Sequence, residues 1–157
     1  MKPRPSIKAA SALVMCGTAS ALVAATPPAE PPKDGEVVIT ITDLRSTKGV
    51  IRACMTTNSD IFPKCRKDPQ SHRTVVPAGT DVQLHFTGVK PGKYAIALLH
   101  DENDNGKADR VFGMMPKEGF GFSRDAKVRM GPPKFKDAVF DYSGVGESLT
   151  IRMRYLL

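Results

Sequence analysis

The sequence predicts an all-β protein, an antiparallel β-sandwich of about seven short strands. Three observations carry that prediction. Apolar and polar residues alternate at period two in several short runs. Gly and Pro, 13 of each in 157 residues, break the chain between those runs. No stretch shows a convincing amphipathic helix or an internal repeat.

The N-terminus is not expected to belong to the sandwich. Lys2, Arg4 and Lys8 precede an apolar run from Ala9 to Val23 and the small-residue site Val23-Ala24-Ala25. That is the layout of a secretory signal peptide over 1–25, cut after Ala25. The run is too short and wrongly flanked for a persistent membrane helix, so no transmembrane segment is expected in the mature chain. Leu13-Val14-Met15-Cys16 resembles a lipoprotein box only weakly, because Met15 is large where a small residue belongs. Ordinary cleavage and a periplasmic or secreted location are the expectation. Residues 26–35 (TPPAEPPKDG) form a Pro-rich extended linker, and 36–157 a single domain.

Within the domain, Val37, Ile39 and Ile41 alternate with Val38, Thr40 and Thr42 in a first strand. Gly49–Thr56 is a second, with Ile51, Ala53 and Met55 inward and Arg52 and Cys54 outward. Asn58–Arg73, polar and broken by Pro63 and Pro69, reads as a loop held by Ile61 and Phe62. Thr80–Phe86 buries Val82, Leu84 and Phe86 and turns His85 out, so His85 and His72 read as surface residues. Lys93–Leu99 is apolar on both faces, which marks a central strand covered on both sides, or a small Ala face lying under a loop. Val111–Pro133 shows no clean periodicity and reads as a long irregular loop whose Phe and Met residues plug the sandwich edge. Val139–Tyr142 is a short strand, and Leu149, Ile151, Met153 and Tyr155 mark a strong last one.

Charge excludes little. The formal net charge is +7, with 23 basic and 16 acidic residues. Removing the three basic residues of 1–25 leaves about +4, a mild surplus read as scattered and solvated. Nucleic acid is not expected as a partner, because it wants basic residues clustered on one face. Cys54 and Cys65 remain after cleavage. An even pair in an exported chain predicts a disulfide, against the alternative of two separate thiols.

The segment His100–Asp109 (HDENDNGKAD) is the most distinctive. Asp101, Asn103, Asn105, Gly106 and Asp109 fall at positions 1, 3, 5, 6 and 9 of the D-x-[DN]-x-[DN]-G calcium loop. Alternate residues in a tight coil aim oxygens at one centre, Gly106 allows the positive φ, and Lys107 would offer its carbonyl. Position 12 is Phe112 rather than Glu, so a carboxylate would come from Glu102, Asp104 or Glu118. Two charged ligands beside Lys107 and Arg110 imply weak affinity. The competing reading is a metal-free turn, since Asn and Asp accept bonds from amides two residues on. His100 reads as a buried histidine bonded to a backbone carbonyl, with orientation of Asp101 as its alternative role.

Taken together, PGKYAIALLHDENDNGKAD, MPKEGFGFS and MGPPKFKDAVF resemble an exported bacterial family, domain of unknown function 2141. The likeness spans Val37–Tyr155. Its anchors are Gly92, Tyr94, His100, Asp101, Asn103, Asn105, Gly106 and Asp109, then Pro116, Glu118, Gly121, Phe122, Ser123, Gly131, Pro132 and Phe135. It implies a secreted or periplasmic sandwich, prealbumin-like or carboxypeptidase-regulatory-like, with no established activity. Members often carry Asn where this chain has Arg124, and an Asn near Val111, so two possible oxygen donors are replaced here.

The expected function is therefore a non-enzymatic exported module with a weak calcium loop formed by Asp101, Asn103, Asn105, Lys107, Asp109 and Glu118. One alternative is recognition of an envelope glycan or protein through residues 111–133; the lack of Trp argues against sugar stacking. Another is a hydrolase-type enzyme using His100 with Asp101, Glu118 or Asp125, for which no base–orienter pair is evident.

Overall fold

The computed structural model describes residues 30–65, 68–111, 113 and 115–157. The expected signal peptide with Cys16, the start of the linker, and Phe112 and Met114 lie outside the described residues.

The chain is all-β, and two sheets share one core. The first sheet joins β1 (Val37–Thr42) to β4 (Val82–Phe86) on one side and β10 (Glu147–Arg152) on the other. The second runs β3 (His72–Pro77), β2 (Val50–Thr56), β5 (Gly92–Asp101) and β8 (Gly119–Phe122), and β9 (Phe140–Tyr142) also pairs with β5. A hairpin of β6 (Arg110–Val111) and β7 (Met115–Pro116) stands apart, and the one α-helix among the described residues, α1, is a single turn over Phe135–Ala138.

Period-two alternation explains the core. Val37, Ile39 and Ile41 from β1 meet Ile51, Ala53 and Met55 from β2, with Val82, Leu84 and Phe86 from β4. Tyr94, Ile96 and Leu98 from β5 close the layer with Ile151. Ile39, Ile51, Met55, Leu84 and Ile96 are essentially inaccessible, so truncating any one to Ala would cost about 2–5 kcal/mol. The opposite, small face of β5 lies under a second cluster, in which Ala95 packs with Phe120, Phe122, Ala126 and Ala138. Coverage on both sides, expected from the apolar pattern of this strand, is observed.

Several details differ from expectation. The sandwich is not wholly antiparallel, because β1 and β10 pair in parallel from Val37↔Glu147 to Thr42↔Arg152. An additional strand, β3, covers the edge beside β2; no residue in it is fully buried, so it carries no strong alternation. His72 is half-buried there, edge-on to Phe86 and Tyr94, and burial pushes its pKa down. The expected loop after Val111 is partly ordered as β6, β7 and β8. In β8 every residue is buried. A Cβ on Gly121 would sit 2.9 Å from Ile151 Cγ2, so glycine is what lets β10 cross this strand closely.

The outward face of β2 carries Cys54, as expected, and it forms a disulfide with Cys65 across a Cα separation of 6.1 Å. Thr56 reinforces the same loop by donating to Asp68 Oδ2 at 2.7 Å, both groups being buried. Closing so short a loop is worth about 2–3 kcal/mol.

Candidate functional site: the acidic loop at the end of β5

Strand β5 runs further than expected and carries both His100 and Asp101 into the sheet. In an antiparallel pair, register decides which side chains can meet. Val50 lies opposite Asp101 and Arg52 opposite Leu99, so Arg52 and Asp101 are diagonal neighbours on one face. Arg52 Nε donates to Asp101 Oδ2 at 2.6 Å, and its Nη2 to Asp104 Oδ1 at 2.5 Å. The Asp101 side chain is fully buried, whereas Arg52 keeps 28% of its side chain exposed. The amides of Gly106 and Asn105 also donate to Asp101, at 2.8 and 3.0 Å. Burial alone would push the Asp101 carboxyl up; Arg52 and the two amides outweigh it and hold it below the usual range.

The entry to β2 leaves room for the backbone at the end of β5. Gly49, at φ +70°, lies so close to the Asp101 carbonyl that a Cβ would fall 2.1 Å from it. Beyond Asp101 the coil closes on itself. Asn103 Oδ1 and Asn105 Oδ1 accept from the amides of Asn105 and Lys107, at 3.3 and 2.8 Å. Their Nδ2 groups converge on Asp109 Oδ2, each at 2.9 Å. Gly106 has the positive φ, 74°, that the calcium-loop pattern demands, and Asp104 shares the left-handed region at 52°.

Glu118, between β7 and β8, completes the group. Its Oε2 accepts from the Asp109 amide at 3.1 Å, while its Oε1 is buried and has no hydrogen-bond partner. Burial, then the charges of Asp101, Asp109 and Glu102, push its pKa up against the opposing Asp109 amide. Glu102 points elsewhere. Its carboxylate is held by Arg45 and by the Ser46 hydroxyl, and the Arg45 guanidinium brings its pKa down to about 2.

Asp101, Asn103, Asn105, Asp109 and Glu118 thus belong to one hydrogen-bonded group. Lys107 joins it through its amide rather than its carbonyl among the bonds described here. No group of three His, Cys, Asp or Glu side chains is arranged to hold a metal ion among the described residues. The sequence reading missed Arg52 and Arg45. Arg52 was legible as outward on β2, but only the β2–β5 register aims it at Asp101.

The family model described as "Uncharacterized protein conserved in bacteria (DUF2141)" matches residues 39–150, which contain the whole loop and all but the outermost parts of both sheets. The chain belongs to this family. No curated protein and no solved structure matches it.

In this DUF2141 domain His100 is fully buried and both ring nitrogens are engaged. A carbonyl can only accept, so Nε2 donates to Lys48 O at 2.8 Å and Nδ1 accepts from the Tyr155 hydroxyl at 2.7 Å. That is the carbonyl-bonded reading of the residue, with the ring fastening the β1–β2 connection to the C-terminal segment. Arg45 caps the arrangement, its guanidinium 4.5 Å from the centre of the Tyr155 ring. In the 111–133 segment, Phe120 and Phe122 are buried, and Phe62 meets Phe122 and Phe135 edge-on at 6.0 Å. Asp125 is bound to Arg154 at 2.7 Å, far in the chain from His100.

Proposed function

We propose that this DUF2141 domain is an exported, non-enzymatic β-sandwich module whose loop after β5 takes one calcium ion weakly. The observation that carries the reading is the Glu118 carboxylate, buried with one oxygen lacking a partner and beside Asp109. A buried acceptor without a partner is costly, and a cation removes that cost together with the repulsion between neighbouring carboxylates. The donors gathered there are oxygens, the chemistry that hard divalent ions require. The Asn103 and Asn105 amides would turn over to present Oδ1 toward Asp109, which accounts for weak binding.

A hydrolase reading loses support from His100, whose two nitrogens are committed within the core. Recognition of a protein or glycan through buried Phe120 and Phe122 loses support in the same way.

The test is thermal unfolding in calcium and in chelator. Ligand at ten times its Kd adds about 1.4 kcal/mol. The expected result is a calcium-dependent rise in Tm that Asp109→Asn abolishes. Equal melting temperatures for the parent protein in calcium and chelator would remove the calcium site and leave the sandwich.

A further inference from the structure

The surplus positive charge is not scattered, as the sequence reading held; it sits in one segment. Residues 124–136 (RDAKVRMGPPKFK) contain Arg124, Lys127, Arg129, Lys134 and Lys136 against a single acid, Asp125. Everything else from residue 26 onward balances, with 15 basic and 15 acidic residues. Of the two acids that line the same hollow, Asp125 within the segment and Asp137 just after it, only the first is in an ion pair. Asp125 is bound to Arg154, and Asp137 accepts from the Lys134 amide at 3.2 Å. Lys127, Arg129 and Lys136 form no ion pair among the described residues.

The segment is fastened at both ends and projects between them. The Ser123 hydroxyl donates to Ala138 O at 2.6 Å and accepts from the Ile96 amide at 2.9 Å. Ala126, Pro133 and Ala138 are buried. At the crest Met130 is completely exposed, at 105% of its reference area, followed by the turn Gly131-Pro132. The five basic residues of this segment, with the two acids Asp125 and Asp137, line an open hollow of about 780 Å³ that Met130 also borders. One exposed methionine alone means nothing. An apolar tip ringed by cations is the arrangement that binds an anionic lipid interface, the side chain entering it and the cations meeting phosphates.

We propose that residues 124–136 dock this domain on a bilayer surface bearing anionic phospholipid, with Met130 entering the interface. Charge complementarity selects that occupant, since five cations against two acids line the hollow, an exposed apolar side chain borders it, and no aromatic residue lines it as a shelf for a sugar. This inference is independent of the calcium reading, because it uses no residue of the 101–109 loop.

The test is co-sedimentation of the mature chain with phosphatidylcholine vesicles, with and without one third phosphatidylglycerol, at low and at high salt. Binding is expected only to the anionic vesicles and only at low salt, where screening is weak. Each cation removed should weaken partition by about fivefold, so Lys127→Ser with Arg129→Ser should weaken it by about 25-fold. Met130→Ser should weaken it severalfold while leaving the salt dependence unchanged. These positions are exposed, and unaltered thermal melts would show that the variants are folded. Failure to pellet with anionic vesicles would overturn the proposal. So would equal pelleting with neutral vesicles, retention of binding in the double variant, or binding to soluble polyphosphate without vesicle binding.

Discussion

Replacing Arg52 with Met would expose what holds the acidic loop. The substitution keeps most of the aliphatic stem that lies along β2 and removes the charge 2.6 Å from Asp101 Oδ2. Two unit charges 4 Å apart at an effective dielectric near 20 attract by about 4 kcal/mol. Exposure of Arg52 and the two remaining amides reduce the loss to about 2–3 kcal/mol, below the usual cost of orphaning a fully buried charge. The second contact adds little, because Asp104 is 58% exposed. Urea unfolding at several pH values is the assay. In the parent protein the Asp101 pKa is lowered, so its contribution is complete above the unfolded value of 3.8 and fades as pH falls. In Arg52→Met burial is opposed only by the two amides, so the pKa lies higher than in the parent and the variant gains less stability as pH rises. The gap between the two proteins should therefore widen from acid to neutral pH. Asp104→Asn, which keeps a residue that tolerates the left-handed φ of 52°, should change stability by less than about 0.5 kcal/mol. A loss below that figure for Arg52→Met, or a gap independent of pH, would show that the backbone amides alone hold Asp101.

Three further outcomes can be checked in the same way. Glu118→Gln should stabilise the calcium-free protein at neutral pH and change it little in acid, because a raised carboxyl pKa gives stability below 4.5 that is lost on deprotonation; melts in chelator across pH measure this. Glu102→Gln should cost about 1–2 kcal/mol at neutral pH after allowance for solvent screening. In the parent that contribution fades between the ordinary value of 4.5 and about 2, so the deficit of the variant in urea unfolding should shrink over that range. Gly121→Ala should cost about 1–3 kcal/mol, read from chemical unfolding, because its Cβ would press on Ile151 Cγ2 at 2.9 Å and on Arg152 O at 3.1 Å.

Much of the fold was legible because its strands obey a simple rule. β4 and β10 have one more buried and one open face, and β1 alternates Val and Ile with Thr, so alternation reveals these strands directly. β5 was recognisable as central because Tyr94-Ile96-Leu98 and Ala95-Ala97-Leu99 are both apolar. β8 was not, because its alternation is Phe against Gly, and glycine signals a break until the crossing of Ile151 and Tyr155 is known. β3 escaped because an edge strand at Thr74-Val75-Val76 buries no side chain fully. The loop residues were found by spacing, and Gly106 does take the positive φ that the spacing requires. The partners of those residues were not found, since all lie about 50 residues away: Arg52 reaches the loop through the β2–β5 register, and Arg45 and Ser46 from the β1–β2 connection.

That division of partners also bears on where a cation would go. The calcium-loop pattern puts Asp101 first, yet Asp101 has the Arg52 guanidinium and two amides, Asp104 shares that guanidinium, and Glu102 is held by Arg45. Asp109 and Glu118 have no direct ion pair among the described residues; the Asp109 carboxylate accepts only from the neutral amides of Asn103 and Asn105, the Asp109 backbone amide donates to Glu118, and Glu118 has an oxygen to spare. Attraction for an added cation is therefore greatest on the β6–β7 side of the coil, away from the buried strand end. Two neutralising substitutions separate these positions. Asp109→Asn should remove the calcium response, whereas Asp104→Asn, equal in charge change and only five residues away, should leave it intact. A response lost equally in both would mean that overall negative charge, rather than the Asp109–Glu118 pair, draws the ion.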